Sequence, residues 1–575
     1  MGGTGRRRWH FALLGAAVAL QAWAAISRRW MQEDGFINIR VAQQVLAGNG
    51  PVFNAGERVE AFTSPLWIAL LVVLRTLTGG LVAYESLAVG AGIVLSVGGT
   101  AAMLAGAVWL WTPRRARPDR AWWVPVGILV PLAVAPFWDF STSGLETSLS
   151  WAWLGASFAT VCAALRSEPD RPPRWLLGRY VLIGLGPLVR PELAIYAVAL
   201  GALLLLLVSR PTGSEEGRRW WWVRPVLAWA AIPFAYQLFR MGYYAAVVPN
   251  TALAKDAGSG TWDRGVTYLD NFAGTYRLAI PAIVLVALLV LRPRPQRAQR
   301  QVLATLVGAA LLHALYVVWV GGDYMHGRFW IVPTLALVAP LAALPYVPAQ
   351  ARSDRRQLAA PGAAALLAIW GLVAMGAHPP RIDGGGAIDD QRALVVGFTG
   401  NQHPVALDDQ PAPFLETGAF LADLDGADTY VDVADLLEPA PQQLPRTPGL
   451  GTATRYDAIG VSGVRAGIDV DFIDPFGLAD PVAARQPAVS TVRAGHGHHL
   501  PEPWRLARGS VVTDDPAVAA ARRALACGAL GQLMDGVTAP MSPGRFLRNV
   551  VEAPANTTLS VPLDPIEAEQ ELCGR

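Results

Sequence analysis

The chain has 575 residues, more than one soluble domain ordinarily takes; 53% are hydrophobic and only 16% charged. The net charge of +3 leaves no basic face once the short Arg-rich loops between apolar runs are accounted for, which excludes a nucleic-acid-binding protein. Charge is scarce to about residue 377 and common beyond it, so a membrane part, 1–377, precedes an aqueous part, 378–575.

A crossing needs about 20 mostly apolar residues, because the hydrocarbon core is about 30 Å thick. In chain order the runs that qualify are 9–27, 87–111, 121–139, 147–166, 176–191, 193–209, 222–243, 277–292, 302–320, 329–348 and 360–377, about eleven transmembrane helices. The first is read as a span and not as a cleaved leader, being long for one and followed by ten others. The pair 176–191 and 193–209 is short and meets at Arg190-Pro191-Glu192, which predicts a broken hairpin of half-helices. Arg clusters at Arg6–Arg8, Arg114–Arg120, Arg166–Arg179, Arg210–Arg224, Arg292–Arg300 and Arg352–Arg356 all fall on the cytoplasmic side of this arrangement. Counting Pro65–Leu77 as a further crossing would move the later Arg clusters outside, so that segment is read as juxtamembrane or re-entrant. The first outer loop is then 28–64, and 378–575 is an extracytoplasmic domain of mixed or β-rich character, with strand-like runs such as Ile468–Ile473.

The outer loops and outer helix ends collect nearly all the ionisable groups of the membrane part, and charge at membrane depth usually marks a functional cavity. Glu33-Asp34 opens the first outer loop. Two adjacent carboxylates in a partly desolvated cleft can serve as base, nucleophile or metal ligand, although an arbitrary acidic pair is more often a solvated helix end. Arg58 and Glu60 stand in the same loop, and Glu146 in Asp139–Glu146. Arg190, Arg240, Lys255 and Arg328 suit a phosphate, with Glu192, Asp256 and Asp323 as their alternative ion-pair partners. His326 lies in the last of these loops, where a lone histidine more often completes a structural hydrogen bond.

In the polar tail, His496, His498 and His499 form a His-rich tract without accompanying Cys or acid ligands, which favours an ordinary loop over sugar or metal binding. Cys527 and Cys573 would form a disulfide in an oxidising compartment and stay free thiols otherwise; Cys162 lies inside an apolar run. Walker, Rossmann and nucleophile-elbow patterns are absent, so a transferase working at the outer face would need an activated donor carried by a lipid. A divalent cation is the one cofactor left open.

Several of these stretches together resemble a known family. They are Asp34-Gly35, Leu46–Asn54, Gly56–Ala61, Asp139–Glu146, Val189–Glu192, Phe239–Tyr244, Thr251–Asp256, Gly321–Arg328, Ile473-Asp474 with Gly477-Leu478, and Cys527. In this order along nearly the whole chain they are similar to the mycobacterial terminal β-(1→2)-arabinofuranosyltransferase B family, membrane glycosyltransferases of the GT-C type. The resemblance implies a plasma-membrane enzyme taking arabinofuranose from a decaprenyl-phosphate donor and adding it to arabinan ends of arabinogalactan or lipoarabinomannan. It implies catalysis by Asp34, with Glu33 standing where the family has a first aspartate. Donor contacts are expected from Arg190, Glu192, Arg240, Tyr244, Lys255, Asp323, His326 and Arg328, and loop or acceptor support from Arg58, Glu60 and Glu146. Donor and product linkages are both β, so Asp34 would be either a nucleophile in a double displacement or a stabiliser of an oxocarbenium-like centre. The alternatives are a polyprenyl-phosphate transferase for another sugar such as mannose, and a lipid or sugar transporter. A transporter would show paired broken helices, and only one such hairpin is read here.

Overall fold

The computed structural model describes residues 10–112, 121–166, 176–208, 220–255, 260–292, 295–351, 353–379, 388–424, 426–433, 441–490 and 493–574. Arg6–Arg8, Arg114–Arg120, most of Arg210–Arg224, and Asp256 lie outside them. The chain is mostly helical and divides into two units, each assembled from separated stretches: Met1–Arg29, Val89–Pro233 and Thr261–Arg381 form one, and Trp30–Ala88, Phe234–Gly260 and Ile382–Arg575 the other. The second unit therefore unites residues 30–88 and 234–260 with the polar tail.

Among the described residues, three helices are long and apolar enough to cross a membrane: Tyr84–Trp111, Arg297–Trp319 and Arg355–Ala374. Trp262–Thr275 and Ala279–Leu291 pass together but are bent by 77°. Ala12–Ser27, Pro65–Leu77, Leu176–Val189, Pro191–Leu207 and Arg328–Leu341 are apolar and shorter. Two expected spans are not continuous helices. Residues 121–139 form strand Trp122–Pro125, turns at Gly127–Leu129 and Pro131–Ala133, and the short helix Ala135–Asp139. Residues 329–348 form helix Ile331–Val338, a turn at Ala339–Leu341 and strand Ala343–Tyr346. Pro125, Pro131 and Pro136 in one segment, and Pro340 and Pro345 in the other, each remove a backbone donor, which uninterrupted helix does not tolerate. The two strands instead pair antiparallel, Trp122 opposite Tyr346.

Close packing in the first unit rests on small residues. A Cβ on Gly155 of helix Thr147–Ala164 would lie 2.4 Å from the Gly99 carbonyl oxygen, and one on Gly106 would meet the Phe158 ring at 2.7 Å. Such backbone-to-backbone approach supplies van der Waals contact where lipid offers no hydrophobic drive between helices. The expected break is present: helix Gly186–Val189 ends at Arg190, whose backbone is extended, before the turn Pro191–Leu193 and helix Ala194–Val208.

In the second unit, a four-stranded sheet has the order Gln442–Pro445, Thr429–Asp432, Ala453–Arg455, Asp471–Ile473, the first pair antiparallel and the others parallel. Helices outnumber strands there, so the tail is mixed and not β-rich. One apolar core contains Ile37, Val41, Phe53 and Phe62 with Val431, Tyr456 and Phe472 from the tail. A second core gathers Val482, Leu500, Trp504, Val518, Leu530 and Val561. Cys527 and Cys573 are joined by a disulfide that ties helix Pro565–Cys573 back to the start of helix Gly528–Thr538.

Candidate functional site

The site residues named from the sequence divide between the two units. Glu33, Asp34, Arg58, Glu60, Arg240, Tyr244 and Lys255 belong to the unit that contains the tail; Glu146, Arg190, Glu192, Asp323, His326 and Arg328 belong to the other.

In the tail-containing unit, helix Glu33–Leu46 begins with the two acids, and the Gln32 side chain caps it by accepting from the Asp34 N–H. Acidic side chains suit this end because its backbone N–H groups lack intrahelical partners. Glu33 Oε1 accepts from the backbone N–H of Gly460 at 2.5 Å and of Val461 at 3.3 Å. Any side chain at 460 would collide, since a Cβ there would sit 2.2 Å from the Glu33 carbonyl oxygen. Burial, then the neighbouring Asp34, pushes the Glu33 carboxyl up to about 8 against these two hydrogen bonds. Asp474 also acts on Glu33. It accepts from Phe476 N–H at 2.9 Å and Ala479 N–H at 2.8 Å, and burial pushes it up to about 7.

The histidine tract reaches the same neighbourhood. His496 Nδ1 lies 3.0 Å from the Ala494 carbonyl oxygen, and its ring meets Phe476 edge-on at 4.8 Å. Burial first, then Arg493, pulls it down to about 4; Asp34 opposes that shift and Lys255 adds to it. The Lys255 side chain lies along Gly495, 3.3 Å from where a Cβ would stand. Glu33, Asp34, Lys255, Asp474 and His496 thus share one electrostatic environment. Sequence reading set His496 aside because its tract lacks ligand spacing, and took Asp474 only as part of the resemblance.

Other polar groups of this unit hold it together. Arg40, fully buried, donates to the carbonyls of Phe53 (3.0 Å), Gly463, Gly467 (2.5 Å) and Val470 (2.7 Å), between the rings of Phe53 and Phe472. Arg508 bridges Glu57 (2.6 Å) and Asp480 (2.9 Å). Neither was singled out from the sequence; a charge inside an otherwise apolar helix face, as Arg40 is, was the available signal. Arg240 donates to Glu60 through Nε (2.6 Å) and Nη2 (3.1 Å) and to Gln237 through Nη1 (2.9 Å), while Tyr236 also donates to Glu60 at 2.6 Å. Tyr244 donates to the Pro51 carbonyl at 2.8 Å. Arg58 donates to the carbonyls of Tyr243 (3.3 Å) and Gly536 (2.9 Å). The cavity lined by Arg58, Glu60, Tyr244, Asn250 and Arg485 measures about 10 Å³, room for one water and not for a sugar.

In the other unit, Arg190 donates to both Glu146 and Glu192. Arg328 pairs with Asp323 at 2.8 Å. The two guanidinium groups lie 5.1 and 5.0 Å from the centroid of one ring, Phe329, within cation–π range. Two cations and three carboxylates therefore gather around a single aromatic side chain. His326 bridges Asn271 (2.5 Å) and the Tyr276 hydroxyl (3.2 Å). Gly327, with φ of 72°, supplies the left-handed turn that precedes Arg328–Trp330. Asp139 receives Arg28 at 2.6 and 2.9 Å.

Among the described residues no group of three or more His, Cys, Asp or Glu could hold a metal ion.

Comparison with known proteins decides the family. A protein of Mycobacterium tuberculosis named terminal beta-(1->2)-arabinofuranosyltransferase is 33% identical to the chain, across 94% of it and 93% of the relative. The chain belongs to the terminal β-(1→2)-arabinofuranosyltransferase family. A Corynebacterium glutamicum protein of the same name is 31% identical across 92% of the chain and 82% of its own length. The model of the AftB family C-terminal domain matches residues 447–571, which brings the tail into the family as well as the helices. No solved structure matches the chain.

Proposed function

We propose that this member of a glycosyltransferase family carries arabinofuranose from a polyprenyl-phosphate donor, decaprenyl phosphate in the form the resemblance implies, to the ends of an arabinan chain in cell wall synthesis. The relatives' names support the sugar and the linkage, and the apolar helices support a donor presented by a membrane. The proposed frame is a multi-pass GT-C-type membrane enzyme with its chemistry and its tail on the extracytoplasmic side.

The observation that carries the mechanism is the acid pair at the start of helix Glu33–Leu46. Glu33, pushed up to about 8, holds its proton at neutral pH, so the pair does not carry two charges. Two carboxyl groups made unequal by their surroundings are the usual means of dividing acid–base roles. In this reading Asp34 faces the anomeric carbon. The bond from that carbon to the phosphate oxygen breaks, its electron pair leaves with the lipid phosphate, and an arabinan hydroxyl oxygen forms the new bond and passes its proton to the departing phosphate. Asp34 acts as the nucleophile of a double displacement or as the stabiliser of an oxocarbenium-like centre.

The proposed phosphate ligands are Lys255, Arg190, Arg328 and Arg240. Of the four, Arg240 has least to offer, because Glu60 and Gln237 engage all three of its nitrogens. The test is transfer of radiolabelled arabinofuranose from its polyprenyl phosphate to an arabinose oligosaccharide by the Asp34→Asn variant. Unchanged turnover removes Asp34 from the chemistry, and equal turnover with a mannosyl donor would favour the broader transferase reading.

A further inference from the structure

Helix Pro543–Thr558 of the tail carries its polarity the wrong way round for a helix in water. Its inward side holds Asn549 and Asn556, 0% and 3% exposed. Asn549 donates to the carbonyls of Gly242 and Gly536, both at 2.9 Å, and the Asn556 carbonyl accepts from Arg485 at 2.7 Å. Thr557 accepts the Val247 N–H at 2.8 Å. These bonds fix which side faces in. The outward side presents Leu547 and Val551, 66% and 79% exposed, followed by exposed Pro554 and Ala555. Positions 547, 551, 554–555 and 558 follow helical spacing, so they form one stripe. In water such a stripe would carry polar side chains.

A second stripe meets it. On helix Val223–Tyr244, Phe234, Leu238 and Gly242 are four residues apart and share a face. Phe546 covers Gly242, where a Cβ would lie 2.3 Å from its ring. Leu238 is 42% exposed and Phe234 71%, so the stripe opens progressively away from that contact. The two apolar stripes join at Phe546, and exposed Arg548 flanks the outer one. Isolated exposed apolar residues need no explanation, whereas a continuous band marks an interaction surface.

We infer that helix Pro543–Thr558 lies in the lipid–water interface of the membrane, with Leu547, Val551 and Pro554 in the acyl boundary and Arg548 toward anionic headgroups. An in-plane helix of this length, apolar on one side and cationic at its edge, suits that position. Lipid accounts for the continuity with the Phe234–Leu238 stripe, which a small local partner would not cover. The inference rests on the membrane reading above and adds a second place of contact, outside the spanning helices.

The test uses the full chain in nanodiscs of phosphatidylcholine with a minor fraction of phosphatidylglycerol. Cys162 is buried and the other two cysteines are paired, so single-cysteine variants Leu547→Cys and Val551→Cys take a nitroxide label selectively. Val290→Cys, on an exposed position of helix Ala279–Leu291, reports whether the chain is in the bilayer at all, and Gln532→Cys reports water. The expected result is an oxygen-to-nickel-chelate collision ratio several-fold higher at 547 and 551 than at 532. Ratios equal to that at 532, with a high ratio at 290, overturn the inference and leave the membrane reading intact. A low ratio at 290 overturns both. Spin–spin broadening between copies at 547 or 551 overturns it in favour of a second chain covering this face.

Discussion

Around Phe329 in one unit and around Glu33 in the other, this protein buries charge in two opposite ways. Arg190 and Arg328 each sit on their own carboxylates, and Glu146, Glu192 and Asp323 are all within direct reach of a guanidinium. At Glu33 the acids have neighbours of their own sign, Asp34 and Asp474, and are held by backbone N–H groups of Gly460, Val461, Phe476 and Ala479. Matched ions fix geometry; burial holds the protons of Glu33 and Asp474 away from their ordinary range. In the proposed mechanism the first arrangement positions two of the phosphate ligands, and the second supplies a group whose protonation is available for chemistry.

The sharpest way to break this contrast is Asp34→Asn, which should lower transfer by about a thousand-fold, within the range of acid–base or covalent catalysis, while leaving thermal unfolding nearly unchanged. The mirror experiment is Arg190→Met, which strands Glu146 and Glu192 in a buried site. It should cost about 3 kcal/mol, read as a lower unfolding midpoint in detergent, since removing one partner of a buried pair leaves an uncompensated charge. Arg40→Met tests a third environment, a guanidinium whose hydrogen bonds go to carbonyls and whose faces meet the rings of Phe53 and Phe472. It should cost about 2 kcal/mol and loosen the attachment of 463–470, seen as faster proteolysis there.

A separate effect concerns pH. A Glu33 carboxyl whose folded value is about 8 against an ordinary 4.5 binds more protons in the folded chain than in the unfolded one. Its contribution to stability is complete below about pH 4.5 and is lost as pH rises toward about 8. Glu33→Gln should flatten that part of the stability profile between those limits. Asp474 and Glu57, both raised to about 7, would keep a shallower slope of the same sign. An unaltered slope in Glu33→Gln would mean that Glu33 is not protonated in the folded chain.

Much of this was legible in the residues. The break at Arg190-Pro191-Glu192 and the acid pair Glu33-Asp34, which the structure places at a helix start, came from composition and spacing. Segments 121–139 and 329–348, which are not continuous helices, qualified on apolar content alone. Their several prolines carried the contrary signal, since each removes a helix hydrogen bond; a single proline, as Pro233 in helix Val223–Tyr244, does not end its helix. The His496–His499 tract lacks ligand spacing along the chain, yet such spacing says nothing about what a loop meets across space. His496 therefore entered the neighbourhood of Asp34 only with the fold.

By itself the sequence determined the apolar character of the helices and the family, since these depend on residue type and order. Only the tertiary structure decided which cation answers which acid, that residues 37–62 share a core with the tail, and that helix Pro543–Thr558 turns its asparagines inward. Periodicity identifies the two faces of such a helix but not which of them is buried; that follows from the partners, Gly242, Gly536 and Val247, that its polar side finds.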